Sequence, residues 1–217
     1  LTPTSLHYGE VGKGAPELLK SLPAFFDSSK LAVSQHEATS ADGTRIPYFQ
    51  VAAKAIELNG KNPTVLYGYG GFEVSMTPSY SANIGDAWLN KGGVYVLANI
   101  RGGGEFGPKW HQAALKANRN KAYEDFAAVA RDLIARKVTS TPHLGTMGGS
   151  NGGLLMGNML TQYPDLFGAI VCQVPLLDMQ RYHTLLAGAS WMGEYGNPDD
   201  PKEWQFIQTF SPYHNVK

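Results

Sequence analysis

The segment that most restricts how this chain can fold is Gly148-Gly149-Ser150-Asn151-Gly152-Gly153. The run His143-Leu144-Gly145-Thr146-Met147 before it reads as a strand. Gly152 to Leu160 after it reads as a helix that ends near Tyr163-Pro164. A chain that passes from strand to helix in so few residues turns tightly, and glycine is required wherever a Cβ would strike the neighbouring strand or helix. The pattern fits G-x-S-x-G, the nucleophile elbow, which presents a serine hydroxyl on a strained strand-to-helix turn. The helix that follows aims its free N–H groups and its positive dipole end at the reacting oxygen. Ser150 is therefore a candidate nucleophile, and the backbone N–H of Asn151 a candidate oxyanion donor. The alternative is a glycine-rich turn with an incidental serine.

The surrounding pattern is that of a parallel α/β sheet. Thr64-Val65-Leu66-Tyr67, Gly93 to Ala98 and Gly168 to Val174 are short apolar runs closed by turns, as buried parallel strands are. Between Tyr123 and Arg136 the apolar residues follow helical spacing, with Glu124 and Asp125 placed in the first turn and Arg136 and Lys137 in the last. Strands alternating with helices define the class. Upstream, Lys30 to Gln35 and Arg45 to Val51 flank Asp42-Gly43, a hairpin signal. Pro47 lacks an N–H, so its strand is expected at an edge or with that side free. Ala15 to Lys20 reads as a short helical turn.

Several function classes fall away. Formal net charge is +0 and charged residues make up 17% of the chain, which gives no electrostatic footprint for nucleic acid or an anionic membrane. No apolar run reaches the ~18 residues of a spanning helix. The single Cys172 forms no intrachain disulfide. The 6 His are scattered, without H-E-x-x-H or paired cysteines, so no metal is called for. Gly102-Gly103-Gly104-Glu105-Phe106-Gly107 satisfies G-x-G-x-x-G, yet Pro108-Lys109-Trp110 follows and the clear helix is expected only near Asn120. A dinucleotide fingerprint should open directly into a helix, so no nucleotide cofactor is expected.

Three blocks carry a resemblance: Leu66-Tyr67-Gly68-Tyr69-Gly70-Gly71-Phe72, then Ala98 to Gly107 continuing to Trp110-His111, then Gly148 to Leu155. Weaker agreement runs through Pro164 to Gly168, Trp191, Glu194-Tyr195-Gly196 and Ser211 to Val216. In this order they resemble the catalytic domain of the prolyl oligopeptidase family of serine peptidases, over at least residues 31 to 217. The resemblance implies an α/β-hydrolase fold, mainly parallel with flanking helices, and hydrolysis of short peptides after proline through an acyl-enzyme. It makes Ser150 the nucleophile and the Tyr69 hydroxyl the second oxyanion donor beside Asn151. It puts Phe72, Trp191 and Tyr195 in the pocket for the residue before the cleaved bond, with ordinary packing as the alternative for Trp191 and Tyr195. Glu194 is the one nearby carboxylate that a branch cleaving after Arg or Lys could use, but it matches an acidic position of the proline-specific branch too, which the context Ala189 to Gly196 resembles more.

The family order is serine, then acid, then histidine. Only 67 residues follow Ser150. Asp178 can be tried as the acid and His183 or His214 as the base, but the family places both partners after further strands. The expectation is a C-terminally incomplete hydrolase domain over 31–217 that lacks the triad Asp and His and is inactive alone. Residues 1–30, where Leu1 to Tyr8 resembles a last blade strand, are expected to be the remnant of an upstream β-propeller and linker. The implied partners are a short peptide, the missing propeller and C-terminal segment, and a second copy through self-association at an open sheet edge. A related oligopeptidase or esterase of other specificity, and a catalytically silent binding domain, are the competing readings.

Overall fold

The computed structural model describes residues 1–217. It opens with a hairpin of β1 (Ser5–Tyr8) and β2 (Glu17–Ser21), a two-stranded sheet of its own with every position exposed. The helical turn expected at Ala15 to Lys20 is therefore a strand. Its backbone pairs with β1, and Gly12 and Gly14, both at φ 85°, close the connection. Five residues without a cap or an apolar stripe have no helix to hold them once a pairing partner is present.

The remaining strands form one six-stranded sheet. β3 (Leu31–Thr39) and β4 (Arg45–Ala53) make the hairpin over Asp42-Gly43, with Gly43 at φ 84°. Then come β5 (Thr64–Tyr67), α1 (Ala82–Ala87), β6 (Val94–Ala98), α2 (Pro108–Gln112) and α3 (Asn120–Ala135). β7 (Leu144–Gly149), α4 (Asn151–Gln162), β8 (Ala169–Gln173), α5 (Met192–Tyr195) and α6 (Pro201–Ile207) complete the chain. The strand order is β3-β4-β6-β5-β7-β8; β3, β4 and β6 pair antiparallel, and β6, β5, β7 and β8 pair parallel. Alternation along each strand sends Ile46, Tyr48, Leu66, Val96 and Leu144 to one face. They pack there in a single core with Tyr123, Phe126 and Leu133 of α3 and Leu154, Leu155 and Met159 of α4.

β4 is interior, and of the two settings expected for Pro47 the structure has the second, its nitrogen side free of a ladder bond; three other local expectations are corrected. Pro47 is tolerated because its carbonyl accepts from the Asn99 N–H, which puts its nitrogen on the β6 side just past the last pair of that ladder, Tyr48 with Ala98. α3 starts four residues before Glu124, so neither acid lies in its first turn, and Asp125 is fully buried against Arg101. β8, expected to be buried, is a largely exposed edge strand of this chain: it pairs with β7 alone and packs against α4. A helix does open directly after Gly107, because Pro108 occupies its first position where no N–H is needed.

Candidate active site

β5 and β7 are neighbours, but the chain leaves β5 toward β6 on one side and leaves β7 toward β8 on the other. Connections that diverge in this way open a crevice at the carboxyl ends of parallel strands, the usual ligand position in such sheets. Tyr69 lies just beyond the end of β5 and Ser150 just beyond the end of β7, so both stand at that crevice.

The turn at Ser150 has φ 59° and ψ −118°, outside the ordinary regions for a residue with a side chain, at a cost of about 1–3 kcal/mol. Two glycines make it possible. A Cβ on Gly148 would lie 2.4 Å from the Gly152 carbonyl oxygen, and one on Gly153 would lie 2.7 Å from that of Gln173. The Ser150 N–H donates to the same Gln173 carbonyl at 3.1 Å, while Gly153 and Leu154 donate to the Ser150 carbonyl at 2.8 and 3.0 Å. The hydroxyl is left exposed at the head of α4. Asn151 is the first residue of that helix, so its N–H has no partner within it. The Tyr69 hydroxyl is half-buried. Burial raises its pKa, and an interaction with Ser150 offsets part of the rise.

Ser150, Tyr69, Phe72, Trp191 and Tyr195 meet around one hollow of about 120 Å³, together with Leu176. Of the residues to which the resemblance gave a role in catalysis or the pocket, all except Asn151 line it. The Tyr195 ring is fully buried and meets Phe72 edge-on at 5.6 Å. Its hydroxyl donates to Asn151 Oδ1 at 2.8 Å, and burial pushes its pKa well up, so it stays a neutral donor. Leu176 was not legible in the sequence, since a leucine pair in the loop after a strand carries no signal of its own.

Behind the hollow lies a polar cluster, of which sequence reading named Glu194 but not its partners. Arg119, fully buried, donates to Asn151 Oδ1 at 2.6 Å, to the Gly70 carbonyl at 2.7 Å and to Glu194 Oε1 at 2.9 Å. Asn151 in turn donates to the Tyr69 carbonyl at 2.6 Å. Glu194 Oε1 also accepts from the Phe72 N–H at 2.9 Å, and Oε2 lies 2.7 Å from His111 Nε2. Both oxygens are thus engaged, so Glu194 offers no free charge to the hollow.

The residues tried as acid and base lie elsewhere. Burial works against ionisation of Asp178, but Arg181 and the Gln180 N–H outweigh it and hold the carboxyl below its usual value. His183 pairs with Asp199 at 2.9 Å, and His214 with Ser211 and Gln180. None of these contacts reaches Ser150. The glycine-rich loop after β6 is packed against protein rather than shaped for phosphate. A Cβ on Gly102 would lie 2.3 Å from the Gly70 carbonyl oxygen, and one on Gly104 would lie 2.1 Å from that of Glu73.

The sequence pattern described as the prolyl oligopeptidase family matches residues 78–217. The chain belongs to this family. A peptidase of Sinorhizobium fredii is 61% identical over all of this chain, and a prolyl endopeptidase of Elizabethkingia miricola is 39% identical over all of it. This chain corresponds to 30% and 31% of those proteins. A post-proline cleaving enzyme from Rickettsia typhi superimposes with a TM-score of 0.93 at 46% identity, covering 99% of this chain and 31% of the other. The chain therefore spans about a third of the length of these relatives. As a prolyl oligopeptidase family member it has the α/β-hydrolase fold, and its fold and family are those of serine peptidases.

Proposed function

We propose that this chain supplies the nucleophile, the oxyanion site and the proline pocket of a serine endopeptidase that cleaves short peptides after proline. The observation that carries this reading is the shared hollow. An exposed serine on a strained elbow stands in the same small space as the Tyr69 hydroxyl and three aromatic rings. Flat apolar rings with defined geometry suit a proline ring.

In this reading Ser150 Oγ attacks the scissile carbonyl carbon and gives its proton to a base. The carbonyl oxygen, now an oxyanion, is held by the Asn151 N–H and the Tyr69 O–H. The base passes the proton to the leaving amine as the C–N bond breaks, which leaves an ester on Ser150; water then attacks that ester with the same base assisting. Losing one oxyanion donor raises the barrier by about 3–4 kcal/mol. No histidine contacts Ser150 here, and the relatives are about three times as long. The base and its acid are therefore assigned to further chain of the complete gene product. Residues 1–30 are assigned to the end of a capping propeller and its linker, supported by the separate exposed hairpin.

The test compares the complete gene product with the 217-residue chain on a peptide amide carrying proline before the cleaved bond. The complete protein is expected to turn it over, with activity lost in Ser150→Ala, and the shorter chain is not. Turnover by the shorter chain that Ser150→Ala abolishes would overturn the division of the triad. Inactivity of both would favour a silent binding domain, and preference for another residue a related oligopeptidase or esterase.

A further inference from the structure

A buried ion pair beside an apolar pocket needs a reason. Taking both charges out of water costs several kcal/mol per ion, so such a pair is weak support for stability, and fixing one arrangement among several is its better-attested use. Arg119 and Glu194 are both buried, and their hydrogen bonds run to the residues assigned above. Glu194 holds the Phe72 N–H. Arg119 holds Asn151, and Asn151 holds both the Tyr69 carbonyl and the Tyr195 hydroxyl. Phe72 and Glu73 sit at φ 55° and 57°, a left-handed pair that persists only if its surroundings hold it. The Phe72 N–H is one of the points at which it is held. The guanidinium also lies 5.4 Å from the centre of the Tyr195 ring, which adds a cation–π contact to the floor of the hollow. At the open end His111, 17% exposed, caps Glu194 with Nε2 and lies 3.8 Å from the Glu73 carboxylate with Nδ1.

We propose that Arg119 and Glu194, closed by His111, are positioning residues that register the aromatic hollow against the oxyanion site. Selectivity for the residue before the cleaved bond is then set in part by an ion pair that never touches substrate. This rests on the peptidase reading given above. The geometry separates it from the obvious alternative, a Glu194 that recognises a basic side chain. That role needs a carboxylate oxygen open to the hollow, and here Oε1 carries two donors while Oε2 faces His111.

The test measures kcat and KM of the complete gene product on two peptides that differ only in proline or alanine before the cleaved bond. Active enzyme is counted by titrating Ser150 with a fluorophosphonate. Glu194→Gln keeps the shape and removes the charge. It is expected to lower kcat/KM for the proline peptide roughly tenfold more than for the alanine peptide, chiefly through KM, the scale of a lost pocket contact. His111→Gln is expected to shift the ratio in the same direction by about threefold. A purely structural role would lower both peptides together, in proportion to titratable Ser150. A proline-to-alanine ratio within a factor of ~1.5 of the parent in every folded variant would overturn the proposal. If Glu194→Gln does not fold, His111→Gln decides alone, because its side chain reaches solvent. A parent without Ser150-dependent hydrolysis of either peptide would overturn the peptidase reading and this proposal with it. A parent that prefers proline, with variants that keep that preference, overturns only the positioning role.

Discussion

Replacing Asn151 by alanine isolates the cost of what its side chain holds together. The amide makes three hydrogen bonds: one from Nδ2 to the Tyr69 carbonyl at 2.6 Å, one accepted from the Tyr195 hydroxyl at 2.8 Å, and one accepted from Arg119 at 2.6 Å. Asn151 is 1% exposed, and Arg119 and Tyr195 are fully buried, so water cannot take over these roles without entering the core. Two neutral bonds and one charge-assisted bond amount to about 4 kcal/mol, most of it the penalty for groups left unpaired. That is a large share of the ~5–15 kcal/mol that holds a typical domain together. The assay is urea unfolding of the 217-residue chain followed by tryptophan fluorescence. With a slope of about 2.5 kcal/mol per molar urea, the midpoint should fall by roughly 1.5 M. The backbone N–H of residue 151 is unchanged by the substitution, so a stability loss of this size belongs to the side chain. A midpoint within about 0.3 M of the parent would refute the reasoning, because it would mean that the amide is not buried between Arg119, Tyr69 and Tyr195.

Further outcomes are expected at other positions. Gly153→Ala sets a Cβ 2.7 Å from the Gln173 carbonyl oxygen and 2.8 Å from Pro175 Cα, both backbone atoms that cannot swing aside. Overpacking of about 2–3 kcal/mol should lower Tm by roughly 5–10 °C in a thermal melt, and a shift below ~1 °C would contradict the seating of β8. Tyr69→Phe in the complete gene product should cut kcat by about 10²–10³ with little change in KM if the hydroxyl serves the oxyanion, and an unchanged kcat would remove it from that role. Hydrogen bonds from Arg101, and then from Thr44, hold the Asp42 carboxyl well below the ordinary value. A depressed carboxyl pKa stabilises the fold above the unfolded value of ~3.9, and the benefit is lost as pH falls toward the folded one. Acid unfolding of Asp42→Asn should therefore show a shallower loss of stability below about pH 4 than the parent, and parallel curves would rule the pairing out.

What could be read from the sequence was whatever is encoded locally. The elbow is written in consecutive residues, with a strand, glycines, a serine and a helix, and the structure places them as β7, Ser150 and α4. The hairpin over Asp42-Gly43 was legible for the same reason. The aromatic hollow was reached only through family resemblance, because Phe72 lies more than a hundred positions from Trp191 and Tyr195 and no local pattern links them. Of the Arg119–Glu194–His111 cluster only Glu194 was singled out, as a carboxylate near the pocket, and its partners were not legible. Its bonds span 75 and 83 positions, and an arginine ahead of a helix reads as solvent-facing until tertiary packing buries it. β2 and β8 failed for a related reason. Whether an apolar run pairs, and on how many sides, depends on which strands lie beside it.

The contact between Ser150 and Gln173 has a mechanical corollary. The elbow's own amide is fastened to the last carbonyl of an edge strand, not to the centre of the sheet. When β8 frays, the fastening opens before the core does, so the Ser150 amide proton should exchange with solvent at the rate of β8 rather than of β7. In the 217-residue chain the geometry of the serine is thus tied to β8, and whatever pairs with the other side of β8 in the complete gene product would act on the elbow as a clamp at a distance of one hydrogen bond.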